Sequence, residues 1–173
     1  KKVFLDLKFH DIPNTVGQAV RSSAAAGADM TNVHALGGPA MLEAAAEAGR
    51  DSGILTIAVT VLTSMDGEQL AAVGLPADPE QMVERLARLT QDCGLGGVVC
   101  SAREISIVRR ACGDEFQMIV PGIRPAGGDV GDQKRVMTPG EASAAGAQYI
   151  VVGRPITKAE NPVAAAKGVL AEL

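Results

Sequence analysis

Short apolar runs with the composition of β-strands alternate with helix patterns along the 173 residues. The runs predict six strands, at residues 3–5, 30–35, 54–62, 97–100, 118–120 and 149–152. Helices are predicted between them, over residues 12–26, 39–48, 79–93, 102–112 and 139–145, with a last helical segment after Pro155. Strict alternation of this kind is typical of a parallel sheet covered by helices, so the sequence predicts an α/β fold.

Local signals predict where several of these helices begin and end. Gly27 and Gly49 are predicted to end the first two helices, because glycine readily takes the left-handed conformation that follows a helix. Asp78 is predicted to cap the start of the helix that follows it, and Thr138 and Glu141 have the spacing of a capping box.

Two architectures fit the alternation, an open doubly wound sheet and a closed (β/α)8 TIM barrel. No Gly-x-Gly-x-x-Gly turn follows any of the predicted strands, which weakens the dinucleotide-binding version of the doubly wound sheet. Polar residues follow several of the strands, and the active site of a barrel lies at the carboxyl ends of its strands. The pattern therefore favours the barrel.

Composition limits the class of protein. With 47% hydrophobic residues and only 2% aromatic ones, residues 1–173 are predicted to form a single domain with an aliphatic core. The formal net charge of −4 argues against a nucleic-acid-binding surface. No apolar run approaches the length that spans a bilayer, so no membrane association is predicted. Cys93, Cys100 and Cys112 lack metal-ligand spacing and indicate reduced thiols in a cytoplasmic protein.

Three charged residues, Asp6, Lys8 and Asp11, follow the first predicted strand. Asp6 and Lys8 are two positions apart, so their side chains leave the same face of an extended chain. A cation between two carboxylates offsets their repulsion, and such a group of charges can deliver a proton and repel an anionic part of a substrate. Taken singly, an ordinary ion pair and an N-cap aspartate before Pro13 also explain these residues. Taken together, the three charges favour an active site.

The segment Asp6-x-Lys8-x-x-Asp11-Ile12-x-x-Thr15 resembles the signature of the orotidine 5′-phosphate decarboxylase family, bacterial type. The Asp-x-Lys-x-x-Asp core is shared with a wider set of sugar-phosphate enzymes, and the addition of Ile12 and Thr15 narrows the resemblance to this family. The resemblance implies that Ile12 and Thr15 bind substrate. The resemblance implies that Lys8 is the proton donor and that Asp6 faces the carboxylate that leaves. It also implies a homodimer in which Asp11 and Thr15 reach the neighbouring subunit's site.

Further segments extend this resemblance along the chain. Residues 59–64 match the stretch after the family's fifth barrel strand, and Thr63 falls where the family contacts the substrate's base. A mobile loop that closes over substrate is matched in the second half of the chain. Its implied contacts are Pro121, Arg124 and Gln133.

Gly153 and Arg154 match the phosphate-binding end of the family. The loops after the last two strands of such barrels often bind phosphate, and an arginine at a helix start opposes the helix dipole unless an anion is present. A solvent-facing charge is the alternative for Arg154. His34 ends a predicted strand without metal-ligand partners and is interpreted as a structural histidine, whereas His10 stays ambiguous.

The resemblance also implies a fold and an activity. The signature lies on the third strand of the family's TIM barrel, so the six units correspond to the third to eighth and the first two are expected upstream of residue 1. The implied reaction is decarboxylation of orotidine 5′-phosphate to UMP and CO2 in pyrimidine biosynthesis, without a metal or an organic cofactor. We expect the chain alone to be prone to aggregate, because removing two strands exposes apolar sheet edges. We also expect it to be inactive, because the same loss opens the barrel interior to water and removes two of the family's catalytic residues.

Two other functions stay open at this point. One is a related Mg²⁺-dependent sugar-phosphate lyase or synthase of the same barrel type, and insensitivity to EDTA would argue against it. The other is a non-catalytic, phosphate-binding partial barrel that serves only in assembly. Loss of orotidylate absorbance, measured with and without the two preceding units, would distinguish it from an enzyme.

Overall fold

The computed structural model describes residues 1–125 and 137–173. Within these residues six strands form one sheet, and short helices follow the strands. The strands are β1 (Phe4–Phe9), β2 (Met30–His34), β3 (Leu55–Val59), β4 (Gly97–Val99), β5 (Gln117–Val120) and β6 (Tyr149–Ile150). The helices are α1 (Pro13–Ala25), α2 (Pro39–Ser52), α3 (Gly67–Ala72), α4 (Pro79–Asp92), α5 (Ile105–Cys112), α6 (Pro139–Ala144), α7 (Arg154–Thr157) and α8 (Pro162–Ala171).

The strand order decides between the two predicted architectures. The described strands pair in sequence order from β1 to β6, and every pair is parallel. A doubly wound sheet reverses its order at a switch point, and no reversal occurs among these strands. Because crossovers between parallel strands are right-handed, an unreversed order puts the connecting helices on one face of the sheet. The architecture is that of a partial barrel.

The two faces of the sheet bury different side chains. On the outer face, residues such as Val33, Ala58 and Met118 pack in one large cluster with the helices. On the inner face a small cluster is formed by Met30, Ile57 and Ile119. Strand register sets this division, because residues paired across parallel strands share a face. The inner apolar cluster lies beneath the polar side chains described below as the candidate site.

Several predicted helix ends are confirmed. Gly27 follows α1 with φ of 88°, the left-handed conformation predicted for it. Asp78 caps α4, and its Oδ1 accepts hydrogen bonds from the backbone N–H groups of Glu80 at 3.0 Å and Gln81 at 3.1 Å. The capping box of Thr138 with Glu141 also forms at the start of α6.

The predicted end of α2 at Gly49 is wrong. The helix continues to Ser52, and Gly53 ends it with φ of 71°. Gly49 lies inside α2 at its contact with β3, where an added Cβ atom would overlap the side chain of Thr56. This glycine therefore permits close packing between helix and sheet, which its local sequence does not reveal.

Other boundaries also differ from the prediction. β1 extends to Phe9 rather than ending at residue 5, and β6 has two residues rather than four. Helix α3 was not predicted, because its six residues show too little of the periodic pattern that marks a helix. Asp66 caps it, accepting a hydrogen bond from the backbone N–H of Gln69 at 3.1 Å.

Candidate active site

Three polar side chains meet on the inner face of β1 and β2. Lys8 Nζ lies 2.7 Å from Asp6 Oδ1, and Asn32 Nδ2 donates to the same oxygen at 2.6 Å. Asp6 and Lys8 leave the same face of β1, and Asn32 occupies the inner face of the neighbouring strand. The site therefore holds an ammonium group and an amide on one carboxylate oxygen.

Lys8 has an unusual backbone conformation. Its φ is 52°, and it is the one non-glycine residue with positive φ among residues 1–125 and 137–173. The pairing of β1 with β2 shifts register between Leu5 and Phe9, around this position. The backbone N–H of Lys8 donates to Asn32 Oδ1 at 2.8 Å. The lysine is thus held through both its side chain and its backbone.

These side chains line a cavity of about 180 Å³ on the inner side of the sheet. Its other lining is mainly apolar, with Val59, Val99 and Ile119 contributed by the middle strands. Cys100 also lines it, and burial raises the pKa of this thiol far above its usual range. A protonated thiol is a poor nucleophile, so Cys100 acts here as an apolar side chain.

Two of the residues predicted to bind substrate share this cavity. Thr63, half-buried after β3, and Pro121, directly after β5, both belong to its lining. The structure thus brings Asp6, Lys8, Thr63 and Pro121 to one concave surface, from three different strand ends. Ligand sites in barrels are assembled in this way, from the residues that follow several strands.

The second carboxylate of the predicted charge cluster lies apart from the first. Asp11 is exposed and, among the described residues, makes no ion pair with Lys8. Its Oδ1 instead accepts a hydrogen bond from the backbone N–H of Ile12 at 2.7 Å, and Ile12, rather than Asp11, is the N-cap residue of α1. Ile12 and Thr15 are exposed as well. The chain presents this group of residues outward.

The predicted phosphate-side residues lie at the ends of β5 and β6. Arg124 is 9% exposed, and its Nη1 donates to the backbone oxygen of Ile123 at 2.9 Å. Gly153 precedes α7, and the exposed Arg154 is the first residue of that helix. These residues do not line the cavity that holds Lys8, as far as the described residues define it. Gln133 lies outside the described residues.

Two histidines lie beside the charged pair. The rings of His10 and His34 have centroids 5.6 Å apart. Burial lowers the pKa of His34, and the nearby charges of His10 and Lys8 lower it further, against a smaller opposite effect of Asp6. His34 is therefore neutral at physiological pH.

Sequence reasoning missed Asn32. A signal was present, because asparagine is uncommon inside strands, and this one lies on the face of β2 that points away from the helices. Finding its role requires the register between β1 and β2, which joins segments 24 residues apart along the chain.

No group of three or more His, Cys, Asp and Glu side chains in residues 1–125 and 137–173 is arranged to hold a metal ion. No helix in the described part of the chain is long and apolar enough to cross a bilayer.

The strand order and the charged pair at the strand end agree with a match to a known family. The sequence profile described as "Orotidine 5′-phosphate decarboxylase / HUMPS family" matches residues 1–169. The chain belongs to this family. Members of the orotidine 5′-phosphate decarboxylase / HUMPS family fold as TIM barrels, and the six-stranded parallel sheet is consistent with part of one.

Individual relatives within the orotidine 5′-phosphate decarboxylase / HUMPS family are close. A protein of Aliivibrio fischeri named orotidine 5′-phosphate decarboxylase is 58% identical over 164 residues, which cover 92% of this chain and 70% of that protein. One of the same name from Moorella thermoacetica is 55% identical over 180 residues, covering 99% and 71%. The crystal structure of orotidine 5′-phosphate decarboxylase from Lactobacillus acidophilus superposes with a TM-score of 0.86 at 38% identity, covering 99% of this chain and 75% of that one.

Proposed function

We propose that this protein decarboxylates orotidine 5′-phosphate to UMP and CO2. The observation that carries the proposal is the Asp6–Lys8 pair, 2.7 Å apart at the mouth of an apolar cavity at a strand's carboxyl end. Relatives at 55–58% identity that bear the name of this enzyme support it. The reaction is a step of pyrimidine biosynthesis, and the free cysteines fit a reducing compartment such as the cytoplasm.

Lys8 is proposed as the proton donor. The bond between C6 of the pyrimidine and its carboxylate carbon breaks, CO2 leaves, and the electron pair stays on C6. The ammonium group of Lys8 stabilises this developing negative charge and then transfers a proton to C6. A preorganised charge needs no reorientation during the reaction, and apolar neighbours such as Val99 and Ile119 limit the number of competing polar groups around it.

Asp6 is proposed to face the substrate's carboxylate. Two anions at close range repel, and the repulsion is relieved when the substrate loses its charge as CO2. Only an interaction that becomes more favourable in the transition state accelerates the reaction. The 2.7 Å contact with Lys8 Nζ holds the Asp6 carboxylate in place.

The substrate's phosphate group is proposed to bind residues that follow other strands, β5 and β6. Arg154 and the backbone of Gly153 are proposed to hold the dianion, with Arg124 and Gln133 on the loop that closes over the substrate, and Thr63 at the base. An arginine fork suits phosphate oxygens because it donates two parallel hydrogen bonds. Binding of this remote group would stabilise the closed site, and thereby lower the barrier at C6.

A complete barrel is proposed to need two further strand–helix units before β1. In that arrangement the six observed strands are the third to eighth, and residues 1–173 form one domain with those units. Two findings support it: the chain covers 70–71% of its named relatives, and Tyr149 and Val151, which follow the inner-face register of edge strand β6, are 40% and 38% exposed. Below, "complete barrel" means residues 1–173 together with those units.

The active form is proposed to be a homodimer in which Asp11 and Thr15 enter the partner's site. Asp11 lies apart from Lys8 of its own chain, although the motif carries both residues. Exposed apolar side chains flank it, since Leu7 is 56% and Ile12 66% exposed. Apolar side chains exposed beside a polar site are common where a second molecule docks.

The test is an orotidylate assay on the complete barrel, following loss of substrate absorbance with and without EDTA. We expect turnover that EDTA leaves unchanged. Turnover that is lost in EDTA and restored by Mg²⁺ would assign a metal-dependent reaction of the same barrel type. Absence of turnover from a folded, phosphate-binding barrel would contradict the decarboxylase proposal.

A further inference from the structure

The backbone of Lys8 lies in a conformation that side chains with a Cβ atom rarely adopt. Its φ of 52° is in the left-handed region, which favours glycine. Such a conformation persists only where neighbouring groups hold it, and it is enriched at functional sites. The group that holds it here is on the next strand, because the Lys8 backbone N–H donates to Asn32 Oδ1 at 2.8 Å.

Asn32 contacts both members of the charged pair. Its Oδ1 accepts from the Lys8 backbone, and its Nδ2 donates to Asp6 Oδ1 at 2.6 Å. A backbone N–H can only donate and a carboxylate can only accept, so these two partners fix which way the amide points. Asn32 is 0% exposed, so water does not substitute for either hydrogen bond.

We infer that Asn32 is a positioning residue for the Asp6–Lys8 pair. Its amide oxygen holds the left-handed turn that aims the lysine side chain, and its amide nitrogen fixes the carboxylate oxygen that Lys8 Nζ also contacts. The inference rests on the proposed function for its effect on turnover. The geometric part of it, the hold on the Lys8 backbone, stands independently of any reaction.

A purely structural role is the competing explanation, since β2 also carries a residue with that role. Thr31, the preceding residue, is equally buried and donates from Oγ1 to the backbone oxygen of Leu5 at 3.0 Å. It joins the same two strands as Asn32 but on the helix-facing side of the sheet, away from the cavity. Thr31→Val removes one buried hydrogen bond with little change of shape and is the matched control.

Two substitutions separate the two ends of the amide. Asn32→Asp keeps an acceptor for the Lys8 N–H and replaces the donor to Asp6 by a second carboxylate. Asn32→Ala removes both contacts. In the complete barrel, we expect either change to lower kcat about 100-fold, as misplacement of a reacting group does, while UMP binding changes by less than about threefold. Thr31→Val should lower the Tm but leave kcat near that of the unsubstituted protein.

Hydrogen exchange at the Lys8 amide, followed by NMR, provides a readout besides activity. Protection should persist in Asn32→Asp and be lost in Asn32→Ala, because only the first keeps the acceptor. If the unsubstituted barrel failed to decarboxylate orotidylate, the proposed function would fall, and this exchange pattern would still decide whether Asn32 holds the lysine. The inference is overturned if both Asn32 variants keep normal kcat, or if the Lys8 amide stays protected in Asn32→Ala.

Discussion

The pairing of Asp6 with Lys8 contributes little to folding stability. Their side chains are 45% and 42% exposed, and exposed ion pairs contribute only ~0–1 kcal/mol. The left-handed backbone at Lys8 costs about 1–2 kcal/mol. The ion pair therefore does not offset the cost of this conformation, which the hydrogen bond from the Lys8 N–H to Asn32 Oδ1 holds. The proposed role of the Lys8 ammonium group in proton transfer accounts for a lysine at this position.

The position of Arg154 predicts that its replacement lowers activity only on substrates that carry the phosphate group. Arg154→Ala in the complete barrel should lower kcat/KM for orotidylate by about 10- to 100-fold, the effect of losing a hydrogen bond to a charged group. Activity on the nucleoside without phosphate should change little. Steady-state kinetics on both substrates measure this, with Lys158→Ala, at the other end of α7, as the control. Equal losses on both substrates would place Arg154 in the chemical step or in folding.

The lowered pKa of His34 predicts that the protein loses some folding stability at acid pH. Burial lowers the pKa of His34 in the folded protein. The unfolded chain, in which a histidine has a pKa of about 6.5, therefore binds the proton more readily. Stability is therefore lost as the pH falls from about 6.5 towards the lowered folded value, and His34→Gln should reduce this loss. Urea midpoints at about pH 7.5 and about pH 5 test it. Equal acid sensitivity of variant and parent would contradict the buried neutral state.

Residue spacing predicted part of the site. A separation of two positions was enough to place Asp6 and Lys8 together, because side chains on a strand alternate between faces. The same local reasoning grouped Asp11 with them, and within the described residues Asp11 makes no ion pair with Lys8; its Oδ1 accepts a hydrogen bond from the Ile12 N–H instead. The part played by Asn32 depends on pairing between strands, which spacing alone does not contain.

At the scale of elements, the contact between α2 and β3 shows how packing overrides a local signal. The sequence predicts that α2 ends at Gly49, yet the helix continues to Ser52, and Gly49 instead lies where the helix meets Thr56. The cap that Asp78 forms on α4 was predicted correctly, whereas the Asp66 cap was missed together with its short helix α3. A hydrogen bond between neighbouring residues can therefore be predicted from the sequence, whereas close packing between segments far apart in the chain cannot.

The same contact predicts opposite effects for two helical glycines. Gly49→Ala should destabilise the protein by about 1–3 kcal/mol, because the added Cβ overlaps Thr56 and forces the helix away from the sheet. Gly168→Ala in α8, where no atom lies within 4 Å of the added Cβ, should be neutral or stabilise by up to ~1 kcal/mol. Urea unfolding measures both. Equal effects at the two sites would show that helix propensity, and not the contact with Thr56, controls Gly49.

For the whole molecule, the parallel sheet follows from strict alternation, whereas the unreversed order was favoured only by the polar residues after several strands and by the lack of a dinucleotide-binding turn. Strands β1 and β6 are the edges of the described sheet, and Asp11 is exposed. The charged pair lies on edge strand β1, so the proposed additional units and the proposed second subunit would both border the site.

The proposed dimer predicts complementation between inactive variants. Lys8→Ala and Asp11→Ala complete barrels should each be inactive, and mixing them should restore activity after subunits exchange. One site of each heterodimer then has both residues intact, so the mixture should approach about one quarter of normal activity per site under random exchange. Subunit exchange is verified by mass tagging. No recovery after verified exchange would mean that each site lies within one subunit.

Lys8 is proposed to donate the proton in the decarboxylation, so its replacement should separate turnover from product binding. Orotidylate turnover and UMP binding are compared in the complete barrel before and after Lys8→Ala, with Lys167→Ala on the exposed side of α8 as the matched loss of a lysine. We expect Lys8→Ala to abolish orotidylate turnover while UMP still binds, and Lys167→Ala to change neither turnover nor UMP binding. Near-normal turnover in Lys8→Ala would contradict this role of Lys8.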